Sequence, residues 1–512
     1  MNIKVGMFFY MISLILAFFS RKIFLDCLGA EFIGLTGMLM NIMSFLGVAE
    51  LGIGASIVYF LYKPLQEDDH GKINEVMSML AYLYRRIGYI IGIAGFIISL
   101  FFPWWLGNGR LSSTELPLVY FAFYSFLASS MSGYIFNYKQ LLVGANQKQY
   151  LVNAYFQTIG IVQSITQIIL AYNYRNLYLW VAVGLVFTVI GIIIFNFRIR
   201  QLYPWLNIDL KEGRQNLRKY PEILRKTRQI FAQKIKDFIL YRSDEILVGI
   251  FVSVIQVAFY GNYTIITGKL NFLVNILSDG MNAGIGNLVA EGNKQNTMKV
   301  FWELTAIRFL ITGIIIYGLI LFLQSFVTCW FGQEYRLDDI IIYLLIFNIF
   351  IFLSRGVVEI YIAAHGLYSD VWAAWTELAL NLTITCCLAP FFGIIGILLG
   401  KIISVFFIAI FWKPYFLFNK GLQQSVSVYW NGMARYYIIF LLFCSFSIAL
   451  KNIIIEPRVD NLPKLIGYGF IAYPPLILFY FLTLFTATKG MKYFVARKPI
   501  IYNITKRIIP IN

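Results

Sequence analysis

Charge is scarce in this chain, and negative charge scarcer still. Only 13% of residues are Asp, Glu, Lys or Arg, and 25 acids stand against 42 bases. Histidine occurs twice, at His70 and His365, far apart in sequence. The five cysteines (Cys27, Cys329, Cys386, Cys387 and Cys444) form none of the spacings that hold a metal. Neither a metal nor another cofactor is expected. A phosphate-binding G-x-x-x-x-G-K-[ST] loop is missing. GILLGKI (396–402) and GKL (268–270) are glycine–lysine pairs inside helical stretches, without the loop or the Mg²⁺-binding hydroxyl. No hydrophilic segment is long enough for a glycosyltransferase domain. The chain is therefore read as a non-enzyme with no catalytic residues.

What is present is hydrophobic. Apolar residues make up 59% of the chain and aromatics 18%; the mean hydropathy is +0.72. Continuous apolar runs of about 20 residues recur along the whole length, the length of a membrane-crossing helix. They do not alternate, which excludes a β-barrel. The first run continues as a full span and has no small-residue cleavage site, so no signal peptide is expected. The fold class is an all-α polytopic membrane protein.

The pattern predicts fourteen spans, near 5–25, 34–62, 79–102, 117–142, 150–172, 177–198, 229–253, 259–289, 299–327, 338–363, 370–389, 392–416, 434–451 and 464–487. With the N-terminus inside, the inner connections collect most of the basic residues, including Arg214, Arg218, Lys219, Arg225 and Lys226 of the 199–228 segment. Outer loops receive only Arg110, Arg175, Arg336, Lys451, Arg458 and Lys464. This asymmetry places both termini in the cytoplasm and accounts for most of the +17 net charge. It also suits anionic lipid headgroups. No nucleic-acid motif accompanies it, and nucleic acid is not an expected partner.

A weak internal repeat is legible. AELGIGASIVY (49–59) in the second span matches DGMNAGIGNLVA (279–290) in the eighth, and LLVGANQKQY (141–150) matches IYIAAHGLYS (360–369). Six helices per copy keep both copies in one orientation, a parallel repeat. The expected domains are an N-lobe over 1–198, a basic linker over 199–228, a C-lobe over 229–418, and a helix pair with a basic tail over 419–512. Gly52, Gly54, Gly284 and Gly286 are read as helix-packing or gating glycines.

Cations inside the spans carry the functional reading, because they are expensive in lipid. Lys22 has Asp26 at i,i+4, Arg242 has Glu245 at i,i+3, and Arg355 has Glu359 at i,i+4. Arg21, Lys269, Arg308 and Lys401 have no acid at helical spacing. Lys269, near the middle of its span, is the most informative, since snorkelling is hardest there. Glu50, Asp279, Asp244 and Glu245 are candidates for ion or proton coupling, or for pairing with cations. A predominantly cationic membrane cleft suits an anionic substrate such as a diphosphate headgroup.

Four stretches carry a family resemblance. SRKIFLDCLGAEFIGLTGMLMNIMSFLGVAELGIGASIVYFLYKPL (20–65) resembles the opening of bacterial oligosaccharide flippases of the polysaccharide transport family. That family lies within the MATE-like multidrug/oligosaccharidyl-lipid/polysaccharide exporter superfamily. SDEILVGIFVSVIQVAFYGNYTII (243–266), AGIGNLVAEG (283–292) and FFGIIGILLGKIIS with WKPYFLF (391–404, 412–418) are similar to later family helices. The resemblance implies twelve to fourteen helices in two lobes, in the bacterial inner membrane. It implies alternating-access transfer of undecaprenyl-diphosphate-linked repeat units to the periplasmic leaflet, for O-antigen, capsule or exopolysaccharide. Polysaccharide polymerase and chain-length proteins are the implied protein partners. In related lipid II flippases, cations on helices one, two and eight meet the diphosphate. Arg21 and Lys269 lie on the matching first and eighth helices. The second helix departs, with Glu50 and no cation; Arg242 is the compensating candidate. The expected substrate-binding set is Arg21, Lys269, Arg242, Lys22 and Arg355, with Arg308 and Lys401 ranked lower.

Two other readings stand beside this one. A cation-coupled multidrug exporter of the same fold would want an acidic cleft. A membrane-embedded polysaccharide polymerase or ligase would want a sizeable outer loop, and the outer loops 103–116, 328–337 and 452–463 are short.

Overall fold

The computed structural model describes residues 2–50, 53–106, 116–146, 148–217, 243–367 and 370–497. Among these residues every regular element is helical. Ten helical stretches are long and apolar enough to cross a membrane. The four other expected spans are the first, second, seventh and eighth. Their described residues also lie largely in helices, but carry the charges Arg21, Glu50, Asp244, Glu245 and Lys269; residues 51–52 and 229–242 of these spans lie outside the described residues. Helices that face only lipid have no use for such groups.

The chain divides into two compact units, Met1–Gly261 and Asn262–Asn512. In the first, α1 (Asn2–Leu28) ends at Gly29, whose φ of +87° turns the chain into α2 (Ala30–Leu46). The second expected span is not one helix. A 3₁₀ turn (Gly47–Glu50) interrupts it before α3 (Ile53–Gln66). Asp69 caps α4 (His70–Ser99) by accepting from the Lys72 amide at 3.0 Å. That bond and the Lys72 ammonium hold its carboxyl below the usual carboxylate range. After α5 (Phe102–Leu106) come α6 (Leu116–Asn137), α7 (Gln140–Ala145), α8 (Gln149–Tyr174) and α9 (Leu177–Leu202). On α4, Gly88, Gly92 and Gly95 form one stripe. Cβ atoms there would lie 3.1, 2.8 and 2.7 Å from Ile135, Met131 and Leu127 of α6. Small residues at this spacing let two membrane helices approach where no hydrophobic force drives them together.

The segment after α9 doubles back on α4. The Asn207 amide donates to Asn74 Oδ1 and the Asp209 amide to Ser78 Oγ, both at 3.0 Å. The Trp205 and His70 rings stack at 3.9 Å. Short α10 (Leu210–Asn216) follows, with Gly213 against the Ser78 carbonyl. The unit closes with α11 (Asp244–Phe251) and the first turns of α12 (Val254–Ala290), within which the division falls.

The second unit holds the rest of α12, then α13 (Lys294–Trp330), α14 (Asp339–Ser354), α15 (Gly356–Ala364), α16 (Val371–Phe392) and α17 (Ile394–Phe406). Gly393, at φ +55°, makes the turn between α16 and α17. Gly396 and Gly400 bring α17 against the backbone of Leu388 and Thr385. Two π-helical turns flank α18 (Lys413–Phe416). The last elements are α19 (Val426–Leu450), α20 (Leu462–Ala487) and α21 (Lys489–Arg497). They pack on α13 through aromatic side chains. The Tyr480 ring lies against Gly313, its hydroxyl donates to the Phe309 carbonyl at 2.9 Å, and Tyr317 meets Tyr480 edge-on at 4.9 Å.

Candidate functional site

A polar cluster lies inside the first unit, on helices α1, α2, α11 and α12. Arg21 of α1 donates from Nη2 to the Ala258 carbonyl at 3.1 Å. A Cβ on Gly261, one turn further along α12, would stand 2.8 Å from the same Nη2 and 4.0 Å from Glu245 Oε1. The guanidinium and the Glu245 carboxylate therefore converge over Gly261. The other oxygen of Glu245 accepts from Asn41 Nδ2 at 2.7 Å, and Asp244 accepts from the Tyr260 hydroxyl at 3.1 Å. Close backbone approach makes this possible. Gly34 of α2 sits against the Val254 carbonyl, where a Cβ would be only 2.0 Å away.

Sequence spacing assigned Glu245 to Arg242. Arg242 lies outside the described residues; among the described ones, Glu245 meets Asn41 and approaches the Arg21 region. Lys22 and Asp26 do pair, at 3.9 Å, with both side chains substantially exposed. Such a pair contributes little, about 0–1 kcal/mol. The cluster partners Asn41 and Tyr260 have no motif that would mark them in sequence. Glu31, 6% exposed just after the Gly29 turn, was also missed; an acid between two apolar runs was its only signal.

A second polar pair fills the break between α2 and α3. The Tyr84 hydroxyl donates to Glu50. A Cβ on Gly54 would lie 2.9 Å from that hydroxyl and 3.3 Å from Glu50 Oε1; one on Gly47 would lie 2.9 Å from the Tyr134 hydroxyl. Gly54 thus makes room for the Glu50–Tyr84 pair. Gly52 lies outside the described residues. At Gly284 and Gly286 a Cβ would meet nothing within 4 Å, so neither serves a close helix approach among the described residues. The side chain of Asp279 also lies outside the described set.

In the second unit Lys269 is half-buried on α12 and Lys401 half-buried on α17. Arg308 is buried, and its Nε donates to the Leu353 carbonyl at 2.7 Å. Its guanidinium lies over Gly356, where a Cβ would be 2.5 Å from Nη2. A cation at the last carbonyls of α14 complements that helix end, which gives Arg308 a structural role at the α14–α15 break. Arg355 reaches Glu359 at 3.2 Å, the pairing its spacing predicted. Lys451, sorted with the outer loops, is 2% exposed and reaches Asp339 at 3.3 Å. The π-helical turn Lys451–Ile455 rolls it inward.

Comparison of the chain with protein-family models and with curated proteins gives no match. Among solved structures, the chain is similar to a lipid II flippase, MurJ, in its inward closed conformation. The TM-score is 0.66 at 16% identity, over 98% of this chain and 99% of that one. It is also similar to a multidrug resistance MATE family transporter of the MOP superfamily in its inward-facing conformation. There the TM-score is 0.55 at 14% identity, over 81% of this chain and 97% of the other. The chain shares with both structures a MATE-like, polytopic all-α fold.

Proposed function

We propose that this chain is a flippase for undecaprenyl-diphosphate-linked oligosaccharide. It moves repeat units from the cytoplasmic to the periplasmic leaflet of the bacterial inner membrane by alternating access, for O-antigen, capsule or exopolysaccharide assembly. Both termini are cytoplasmic in this reading, and polysaccharide polymerase and chain-length proteins act on the product. Two anion contacts are assigned: Arg21, assisted by Lys22, on α1, and Lys269 on α12. Arg242 and Arg355 are secondary.

The observation that carries the reading is the setting of Arg21. A guanidinium within an apolar helix is anchored on a backbone carbonyl, over a glycine that leaves it room. An always-charged planar group held in this way suits phosphate oxygens. The likeness to a structure described as a lipid II flippase supports a lipid-linked substrate.

The test is export in cells carrying Arg21→Ala or Lys269→Ala at matched protein level. Surface glycan should fall, and lipid-linked repeat units should build up on the cytoplasmic leaflet. Intact export in both variants sinks the site assignment.

A second reading, a cation-coupled multidrug exporter, is favoured by the intramembrane acids, with Glu50 on Tyr84, Asp244 on Tyr260 and Glu377 only 2% exposed. It predicts drug efflux that Glu50→Gln abolishes, with no change in surface glycan.

A further inference from the structure

A cavity of about 430 Å³ opens at the end of the first unit where α6 and α9 finish and the 203–216 segment folds back on α4. That volume falls in the range of about 300–1,000 Å³ typical of small-molecule sites. Three of its lining residues are cations, Arg85 of α4, Lys139 just beyond α6 and Arg200 of α9, and none is an acid. Lys139 and Arg200 are close enough for their charges to interact. Lys139 Nζ donates to Asn196 Oδ1 at 3.1 Å, and Arg85 Nε to the Tyr89 hydroxyl at 3.0 Å. These contacts aim the side chains without neutralising them. Convergence of like charge costs free energy unless an anion offsets it.

The cations continue into lipid-facing stripes. On α4, Arg85 is followed at helical spacing by Tyr89 and Ile93; on α9, Arg200 is preceded by Phe197 and Ile193. Tyr89, Ile93, Phe197 and Ile193 are all large, apolar or aromatic, and exposed, as is Phe136 at the cavity wall. Phosphate-binding groups at the mouth of an apolar surface match an amphiphile: an anionic head with acyl chains.

We propose that this cavity is a binding site for the headgroup phosphate of an anionic glycerophospholipid, with its chains along the Ile93 and Ile193 stripes. The site is separate from the cations assigned to transport and does not rest on the flippase reading. Basic pockets between membrane helices recognise anionic headgroups in this way.

The full-length protein in detergent is titrated separately with short-chain phosphatidylglycerol, short-chain phosphatidylcholine and inorganic phosphate, and thermal unfolding is followed. Phosphatidylglycerol should raise the melting temperature by several degrees, and phosphatidylcholine and phosphate should not. The Lys139→Gln/Arg200→Gln variant should lose that rise, while Arg458→Gln, a cation far along the chain, should keep it. If the double variant fails to fold, Arg85→Gln replaces it, because Arg85 is exposed and its substitution disturbs little packing. An equal rise with inorganic phosphate overturns the lipid assignment. A rise that survives in the variants places binding elsewhere and overturns the site.

Discussion

The Arg21 guanidinium lies against the backbone of α12, donating to the Ala258 carbonyl at 3.1 Å with Gly261 beneath it. A carbonyl in the second turn of one helix thus positions a charge carried by another. Replacing Arg21 with Lys keeps the charge and loses the planar fork. Export by Arg21→Lys should therefore fall between wild type and Arg21→Ala. For Arg21→Ala the loss should be tenfold or more, from about 1.5–3 kcal/mol per charge-assisted hydrogen bond. Surface glycan at matched protein level measures both.

Gly261→Ala separates position from stability. Inside a helix, Gly to Ala is worth roughly 1 kcal/mol in favour of folding. The new Cβ would stand 2.8 Å from Arg21 Nη2, the flexible end of a side chain that yields by moving. The expected variant melts no lower than wild type, yet its export drops toward that of Arg21→Ala. A normal export rate with an unchanged melting temperature would show that the guanidinium's position is unimportant.

The Glu50–Tyr84 pair holds the break between α2 and α3 together. Tyr84→Phe removes the donor and leaves a half-buried carboxylate with less satisfaction. The expected cost is about 1–3 kcal/mol, read as a lower melting temperature in detergent. Glu50→Gln, able to remain hydrogen-bonded to Tyr84, should melt close to wild type. Loss of export in that variant would then mark Glu50 as a coupling group.

Gly313 sits under the Tyr480 ring, where a Cβ would fall 2.2 Å from a ring carbon. Overpacking of this kind costs about 1–3 kcal/mol. Gly313→Ala should lower the melting temperature and displace the Tyr480 hydroxyl from the Phe309 carbonyl. Gly284→Ala, with open space around its Cβ, is the matched control and should melt no lower than wild type.

Much of this was legible in residue order because membrane insertion depends on local composition. Apolar runs located the helices, basic loops suggested an orientation, and i,i+4 spacing found the Lys22–Asp26 and Arg355–Glu359 pairs. Tertiary structure decided the rest, since helices distant in sequence supply partners that spacing cannot register. Glu245 meets Asn41 of α2, more than two hundred residues away, and Arg308 is held by a helix end. Arg85, Lys139 and Arg200 meet at one cavity only because α6 and α9 end beside the middle of α4. The sequence by itself determined that the chain is a bundle of membrane helices carrying intramembrane cations. Only the packing decided which of those cations are held by neighbouring groups and how, because the cost of a buried charge is set by whatever the fold brings within hydrogen-bond reach.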